Sequence, residues 1–162
     1  MSDIRIATAC EQDVPDILRL IKGLADYEQL TDQLVATEDD LHAALFGARP
    51  LVEALLAFDA DEAIGFALFF QNFSTFLGRP GLYLEDLFVV PDRRGRGVGR
   101  RLLTHLARIA VERKCGRMEW SVLDWNEPAI GFYQRLGASV LQDWRICRLT
   151  GDALVRAAAA AG

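Results

Sequence analysis

Apolar residues recur every three or four positions in two long segments, which is the pattern of amphipathic helices. The first segment follows Asp13 and Pro15, residues typical of a helix start, and its apolar positions are Val14, Ile17, Leu18, Ile21 and Leu24. The second runs from about Val98 to Lys114, with a stripe at Val98, Leu102, Leu106, Ile109 and Ala110. Between them, Thr37-x-x-Asp40 is a capping-box pattern and predicts a helix through about Phe46.

Shorter apolar runs predict strands. They are Ile4 to Ala7, Leu51 to Phe58, Ala63 to Phe70, Leu82 to Val90, Arg117 to Leu123 and Trp144 to Leu149. The segment from Asp59 to Glu62 predicts a hairpin turn, and Asn126, Pro128 and Gly137 delimit a further short helix. A last helix begins at about Asp152. The order βααβββαβαβ predicts one α/β domain over residues 1–162, with a mixed, mostly antiparallel sheet flanked by helices.

Three glycines stand where the strand Leu82 to Val90 passes into the long helix. Gly95, Gly97 and Gly99 leave the backbone open to an anion, and the helix start presents free N–H groups. Positive charge is added by Arg94, Arg96, Arg100 and Arg101. The spacing matches neither a Walker loop nor a dinucleotide fingerprint. A plain strand-to-helix turn is the alternative interpretation.

The pattern Arg94-x-x-Gly97-x-Gly99 resembles the acetyl-CoA pyrophosphate loop of the GCN5-related N-acetyltransferase (GNAT) superfamily. The surrounding order of elements agrees with that resemblance. Val89-Val90-Pro91 precedes the loop, the long helix and the strand from Arg117 follow it, and Asn126-Glu127-Pro128 opens a helix that carries Tyr133.

Further segments resemble one branch of that superfamily, the diamine (spermidine/spermine and thialysine) acetyltransferases. They are Tyr27-Glu28, Leu84-Glu85-Asp86 and Trp125-Asn126-Glu127-Pro128, so the resemblance spans nearly the whole chain. It implies the GNAT fold and acetyl-CoA as co-substrate. The residues that it places against the cofactor are Leu87, Phe88, Val89, Arg94, Gly95, Arg96, Gly97, Val98, Gly99, Arg100 and Asn126.

The resemblance also implies catalytic roles for two residues. Tyr133 is the candidate acid that protonates the departing thiolate, although its helix face also suits a core tyrosine. Glu85 is the candidate base or amine anchor, because a carboxylate within an apolar strand is costly unless a cation, water or hydrogen bond compensates it. Strand alternation points Asp86 to the opposite face from Glu85. A carboxylate at the rim of the sheet is the alternative for Glu85.

Amine recognition is assigned by the same resemblance. The candidate substrate-binding residues are Tyr27, Glu28, Glu85, Asp86, Glu119, Trp120, Ser121 and Asp143. One departure from the branch lies between Ala138 and Trp144, where the connecting loop is short and weakly acidic. A shorter monoamine or a thialysine-like amino acid therefore becomes comparable to a polyamine as the substrate.

Composition restricts the class of protein and the partners that are compatible with this chemistry. The 162 residues are 51% apolar and carry a net charge of −5, which argues against nucleic acid as a partner and suits a cationic substrate. No apolar run is long enough to span a membrane, and the N-terminus lacks a signal pattern, so we expect a cytoplasmic protein. Cys10, Cys115 and Cys147 have no metal or disulfide spacing and are expected to be reduced, partly buried thiols. No metal is implied.

These observations together predict an enzyme. We expect an acetyl-CoA-dependent N-acetyltransferase of small primary amines that acts by direct transfer in a ternary complex. A protein lysine or N-terminal acetyltransferase and a CoA-binding module without turnover are the alternatives. The diamine branch implies a homodimer whose C-terminal strands meet, here through Trp144 to Leu149.

Overall fold

The structure is a computed structural model that describes residues 3–160. The chain divides into two compact units, one that ends at Ser121 and one that begins at Val122. Among the described residues, no helix is long and apolar enough to cross a membrane.

The first unit contains a five-stranded sheet in the order β1-β2-β3-β4-β5. The strands are β1 (Ile4–Thr8), β2 (Glu53–Asp59), β3 (Glu62–Ser74), β4 (Arg79–Val89) and β5 (Arg117–Trp120). Neighbouring strands are antiparallel except β4 and β5, which are parallel. The sheet is therefore mixed and mostly antiparallel, as the sequence predicted.

Three helices belong to this unit: α1 (Val14–Tyr27), α2 (Glu38–Phe46) and α3 (Val98–Glu112). The predicted capping box opens α2, because the Thr37 hydroxyl accepts a hydrogen bond from the Asp40 amide at 3.2 Å and Asp40 Oδ2 accepts one from the Thr37 amide at 2.9 Å. Helix α3 ends two residues before the predicted Lys114, which has the left-handed φ of 58°. The Cys115 amide donates to the Ala110 carbonyl across this end, as in a Schellman motif.

One face of the sheet is covered by α1 and α2. The hydrophobic cluster there includes Ile17 and Leu20 of α1, Phe66 of β3 and Phe88 of β4, all of them buried. Gly23 lets α1 approach the sheet closely, since a Cβ at that position would lie 2.9 Å from the Phe88 ring. This packing holds the C-terminal end of α1 near the C-terminal half of β4.

The second unit contains the helices α4 (Glu127–Arg135) and α5 (Gly151–Ala159). Asn126 caps α4 and Gly137 follows it with φ 95°, as predicted. The predicted strand Trp144 to Leu149 is wrong, because the structure gives these residues no regular secondary structure. Their apolar side chains, Trp144, Ile146 and Leu149, are 79%, 72% and 58% exposed. A strand needs a hydrogen-bonded neighbour, and within the described residues none pairs with this segment.

The cysteine prediction is correct only in part. All three cysteines are free, but Cys10 and Cys147 are exposed and only Cys115 is partly buried.

Candidate active site

A β-bulge in β4 shapes the candidate site. Leu84 pairs with Phe69 and Asp86 pairs with Leu68, so Glu85 is an extra residue with no partner on β3. Leu68 belongs to the core beneath α1 and α2, and its partner Asp86 therefore faces the same helices. Without the bulge, Leu84 and Asp86 would share one face of the sheet. The inserted Glu85 therefore turns the Asp86 carboxyl group toward α1 and α2, whereas strict strand alternation would place it on the same face as Leu84.

The two carboxylates of the bulge have different environments. Glu85 is exposed and Asp86 is partly buried, so Asp86 is the carboxylate of the pair that faces the helix layer, and the exposure of Glu85 agrees with the alternative of a carboxylate at the rim of the sheet. Burial, together with the smaller effect of the nearby charges of Glu85 and Glu28, raises the pKa of Asp86 to about 6. Burial also raises the pKa of Glu28 above its ordinary value. Three acidic groups thus meet at one point of the first unit, and a bound cation would relieve their repulsion.

Glu28 reaches this cluster because of how α1 ends. The Leu30 amide donates to the Ala25 carbonyl at 2.9 Å and the Gln29 amide donates to the Asp26 carbonyl at 3.2 Å, the two bonds of a Schellman motif. Gln29 takes the left-handed φ of 59° that the motif requires. The motif fixes Tyr27 and Glu28 on the last turn of the helix.

The glycine loop has the geometry of an anion site. Gly95 and Gly97 have φ of 75° and 77°, and apart from the adjacent residues no atom of residues 3–160 lies within 4 Å of where a Cβ would stand on either glycine. Gly97 directly precedes α3, whose first N–H groups have no intrahelical partner. The open backbone and the positive helix end fit a phosphate group and so fit the pyrophosphate of acetyl-CoA.

The arginines around the loop differ in the groups that they contact. Arg93 pairs with Asp59 at 3.4 Å and Glu62 at 3.3 Å, so its charge is compensated by the β2–β3 hairpin. The Arg94 Nε donates to the Val89 carbonyl at 2.9 Å. Arg96 and Arg100 are exposed, and the structure shows no ion pair for either within residues 3–160. The charge available to an anion at the loop is therefore carried by Arg96, by Arg100 and by the part of the Arg94 guanidinium that Val89 does not occupy.

The edge of β4 is open along the predicted cofactor strand. Pairing with β5 extends only from Gly81 opposite Arg117 to Leu84 opposite Trp120. β4 continues to Val89, and Leu87, Phe88 and Val89 pair with β3 alone in the ladder. The outer backbone groups of these residues point away from β3, where the resemblance places the pantetheine chain and the acetyl carbonyl. β5 ends at Trp120 and not at the predicted Leu123.

The predicted second wall of the amine site is built around β5. Glu119 is paired with Arg117 at 2.9 Å, and the Ser121 hydroxyl lies 3.0 Å from the Tyr83 hydroxyl. Trp120 pairs with Leu84 and so lies on the other face from Glu119. Tyr83 was not among the residues predicted for this wall from the sequence, and it also packs on Phe70 with ring centroids 5.1 Å apart. The available signal was its position between the buried residues Leu82 and Leu84, on the same face as Glu119.

The remaining predicted residues lie in the second unit. Asn126 is buried, and its Oδ1 accepts a hydrogen bond from the Ala129 amide at 3.4 Å at the start of α4. Tyr133 is half-buried, with its ring 5.4 Å from that of Phe132. Asp143 is exposed in a turn. Within residues 3–160, no group of three or more His, Cys, Asp or Glu residues is arranged to hold a metal ion.

The sequence of the chain is similar to a known protein family and to named enzymes. A profile described as the Acetyltransferase (GNAT) family matches residues 18–138. The chain is 36% identical to thialysine N-epsilon-acetyltransferase of Bos taurus, over 95% of this chain and 96% of that protein. It is 37% identical to L-ornithine N5-acetyltransferase NATA1 of Arabidopsis thaliana, over 93% of this chain and 86% of that protein.

Solved structures agree with the fold. An integron cassette protein from the mobile metagenome of V. cholerae has a TM-score of 0.80 with this chain, at 30% identity and with 98% of each chain covered. An aminoglycoside acetyltransferase from a soil metagenome has a TM-score of 0.77 at 16% identity, over 91% of this chain and 95% of the other, and supports the fold alone.

Proposed function

The chain belongs to the GNAT family of acetyltransferases, and we propose that it transfers an acetyl group from acetyl-CoA directly to a primary amine of a small cationic substrate. The main observation behind the proposal is that an acidic cluster and an open anion site occur close together along the chain. The cluster lies at β4 and the end of α1, and the anion site lies in the loop that follows β4. Glu28, Glu85 and Asp86 suit an ammonium group, and Gly95 with Gly97 suits a pyrophosphate. A cationic acceptor and an anionic co-substrate need these two environments.

We propose that the loop and the end of β4 bind the co-substrate. When bound, acetyl-CoA supplies an activated acetyl thioester. The α3 amides, Arg94, Arg96 and Arg100 attract its phosphates, and the backbone of Leu87 to Val89, apart from the Val89 carbonyl that accepts from Arg94, is available to its pantetheine chain. Asn126 is also proposed to contact the co-substrate. We keep the prediction of one N-acetyltransferase domain over residues 1–162 as part of this proposal.

The carboxylates are proposed to bind the amine and remove its proton. An amine must be neutral to attack a carbonyl carbon, and a carboxyl group with a pKa of about 6 is a better proton acceptor near neutral pH than an ordinary aspartate. Asp86 has this property, while the exposed Glu85 can take up the proton through water. Glu28 is proposed to contact a second cationic group of the substrate.

Tyr133 is proposed as the general acid. A phenol hydroxyl can donate a proton to the thiolate that leaves when the amide bond forms. In the proposed direct transfer the amine nitrogen forms a C–N bond to the acetyl carbon while the C–S bond to coenzyme A breaks, and the proton lost by the amine is matched by the proton gained by the thiolate, without a covalent acyl-enzyme.

The relatives and the acidic cluster together support the proposed substrate class. The names of the relatives identify thialysine and L-ornithine as acceptors of those enzymes, and both amino acids carry a side-chain amine at the end of a short flexible chain. We propose an acceptor of this kind, or a short diamine. The short and weakly acidic segment between Ala138 and Trp144 is the reason for proposing a short acceptor over a long polyamine.

We also propose a homodimer. The second unit exposes the apolar side chains of Trp144, Ile146 and Leu149, and helix α5 exposes Leu154 and Val155. An extended apolar segment without a strand partner is suited to pair with another chain. A second copy of this chain can provide the neighbour that the predicted strand Trp144 to Leu149 requires.

An amine panel tests the proposed function. The purified protein is incubated with acetyl-CoA and L-thialysine, L-ornithine, spermidine or a lysine peptide, and free thiol and acetylated product are measured. We expect turnover with the small amines. Turnover of the peptide alone would instead indicate a protein acetyltransferase, and acetyl-CoA binding without thiol release would indicate a module without activity.

A pair of glycine variants tests the anion site within the same experiment. Gly97→Glu places bulk and negative charge in the loop and should weaken acetyl-CoA binding at least about tenfold in calorimetry. Gly78→Glu is the matched control, because Gly78 also has a positive φ of 62° and open space around it but lies in the β3–β4 turn. Equal affinities of the two variants for acetyl-CoA would contradict the assignment of the loop.

A further inference from the structure

Arg94 of the glycine loop is held between two aromatic rings. Its guanidinium carbon lies 4.4 Å from the centroid of the Tyr27 ring and 5.4 Å from that of the Phe88 ring. Its Nε donates a hydrogen bond of 2.9 Å to the carbonyl of Val89. The three contacts come from the end of α1 and the end of β4, so elements far apart in sequence fix one guanidinium.

These contacts define which part of Arg94 remains for a ligand. The two rings cover guanidinium surface, and Val89 occupies Nε. In the part of the chain that the structure describes, no other hydrogen bond of this side chain is recorded, so its two Nη atoms are the donors available to an anion. A guanidinium already fixed in one orientation loses less conformational entropy when it binds a phosphate.

We infer that Tyr27 is a positioning residue for acetyl-CoA: its ring orients Arg94 and, through Arg94, links the glycine loop to the last turn of α1. The inference rests on the proposed function, because acetyl-CoA is the anion that the loop is proposed to bind. It replaces the interpretation of Tyr27 as a residue that recognises the far end of the amine. Tyr27 precedes Glu28, so the last turn of α1 serves both the cofactor loop and the acidic cluster.

Substitutions at Tyr27 separate the ring from the hydroxyl. Tyr27→Phe keeps an aromatic face over Arg94, and Tyr27→Leu removes it. A cation–π contact at a partly exposed site corresponds to an affinity change of about two- to fivefold. We therefore expect Tyr27→Leu to raise the acetyl-CoA dissociation constant by that factor in calorimetry, and Tyr27→Phe to keep the wild-type value. Phe76→Leu, at a fully exposed ring in the β3–β4 turn, is the matched control for loss of an aromatic side chain.

A double-mutant cycle with Arg94→Gln tests whether the effect passes through Arg94. In the Arg94→Gln background, Tyr27→Leu should cause no further loss of acetyl-CoA affinity. An NMR measurement without any ligand provides a second readout. The Arg94 Nε–H resonance should keep its ring-current shift and slow exchange in Tyr27→Phe and lose both in Tyr27→Leu.

Three results would overturn the inference. One is an unchanged acetyl-CoA dissociation constant in Tyr27→Leu together with a raised KM for the amine, which would make Tyr27 an amine-recognition residue. Another is equal loss of acetyl-CoA affinity from Tyr27→Leu in the wild-type and Arg94→Gln backgrounds. The third is a wild-type protein that binds no acetyl-CoA, and this result alone would also remove the proposed function.

Discussion

Replacing Asp86 by asparagine should stabilise the protein, and increasingly so as the pH rises. Asparagine keeps the shape of the side chain but has no charge to bury. The pKa of Asp86 is raised from 3.8 to about 6 by burial and by the charges of Glu85 and Glu28. The folded state therefore holds the proton more tightly than the unfolded state does. Wild-type stability should fall as the pH rises from about 4 through 6, where the unfolded chain releases this proton first.

The shift sets the size of the effect. A raised pKa of about two units corresponds to roughly 3 kcal/mol at pH values above the folded pKa, and about half of this develops between pH 5 and 8. The charges of Glu85 and Glu28 contribute to the raised pKa of Asp86, so part of the stabilisation expected from Asp86→Asn comes from removing their repulsion with Asp86. We expect Asp86→Asn to be about 1–3 kcal/mol more stable than the wild type at pH 8, with a difference about 1 kcal/mol smaller at pH 5.

Urea unfolding followed by circular dichroism across this pH range measures the difference directly. Carboxylates common to both proteins, such as Glu53 with its lowered pKa beside Arg113, cancel in the comparison. Asp61→Asn, at an exposed turn between β2 and β3, controls for the loss of one negative charge. A difference in unfolding free energy that stays constant from pH 5 to 8, or a variant less stable than the wild type at pH 8, would refute the reasoning.

Three other measurements test separate parts of the molecule. Tyr133→Phe should lower kcat by roughly a hundredfold and keep the acetyl-CoA dissociation constant, and near wild-type turnover would leave Tyr133 only a packing role. Lys114→Gly should raise the free energy of unfolding by about 0.5–1 kcal/mol, because Lys114 has a left-handed φ of 58°, and destabilisation in urea would contradict this. Light scattering should give twice the chain mass of 18.0 kDa, whereas a particle of one chain mass would exclude the dimer.

Elements whose signals are local were predicted well. The capping box at Thr37 and Asp40, the apolar stripe of α3 and the glycine that ends α4 each depend on residues a few positions apart. The two positive-φ glycines of the loop follow equally from their neighbours along the chain. Within one element, sequence spacing is spatial spacing, so these features could be recognised before any packing was known.

Features that depend on pairing between distant segments were not predictable. Strand alternation could not show the bulge at Glu85, because the register of β4 is set by β3. It therefore left open which of Glu85 and Asp86 faces the helices. The contact between Tyr27 and Arg94 joins α1 to the glycine loop, and no pattern among residues close in sequence indicates it. The segment 144–149 has an apolar pattern suited to a strand, but a strand forms only where another strand accepts its hydrogen bonds.

The bulge gives a physical reason why acidic and basic groups can occupy one strand and its following loop. With Asp86 turned toward α1, the carboxylates lie together at the middle of β4, while the guanidinium groups stand beyond its end at Val89. Arg93 is already neutralised by Asp59 and Glu62, so it does not cancel the acidic cluster. No cationic side chain of residues 3–160 is among the groups that shift the pKa of Asp86, so the arginines of the loop do not neutralise the acidic cluster. The proposed binding of an amine at the carboxylates and of a phosphate group at the loop requires this separation.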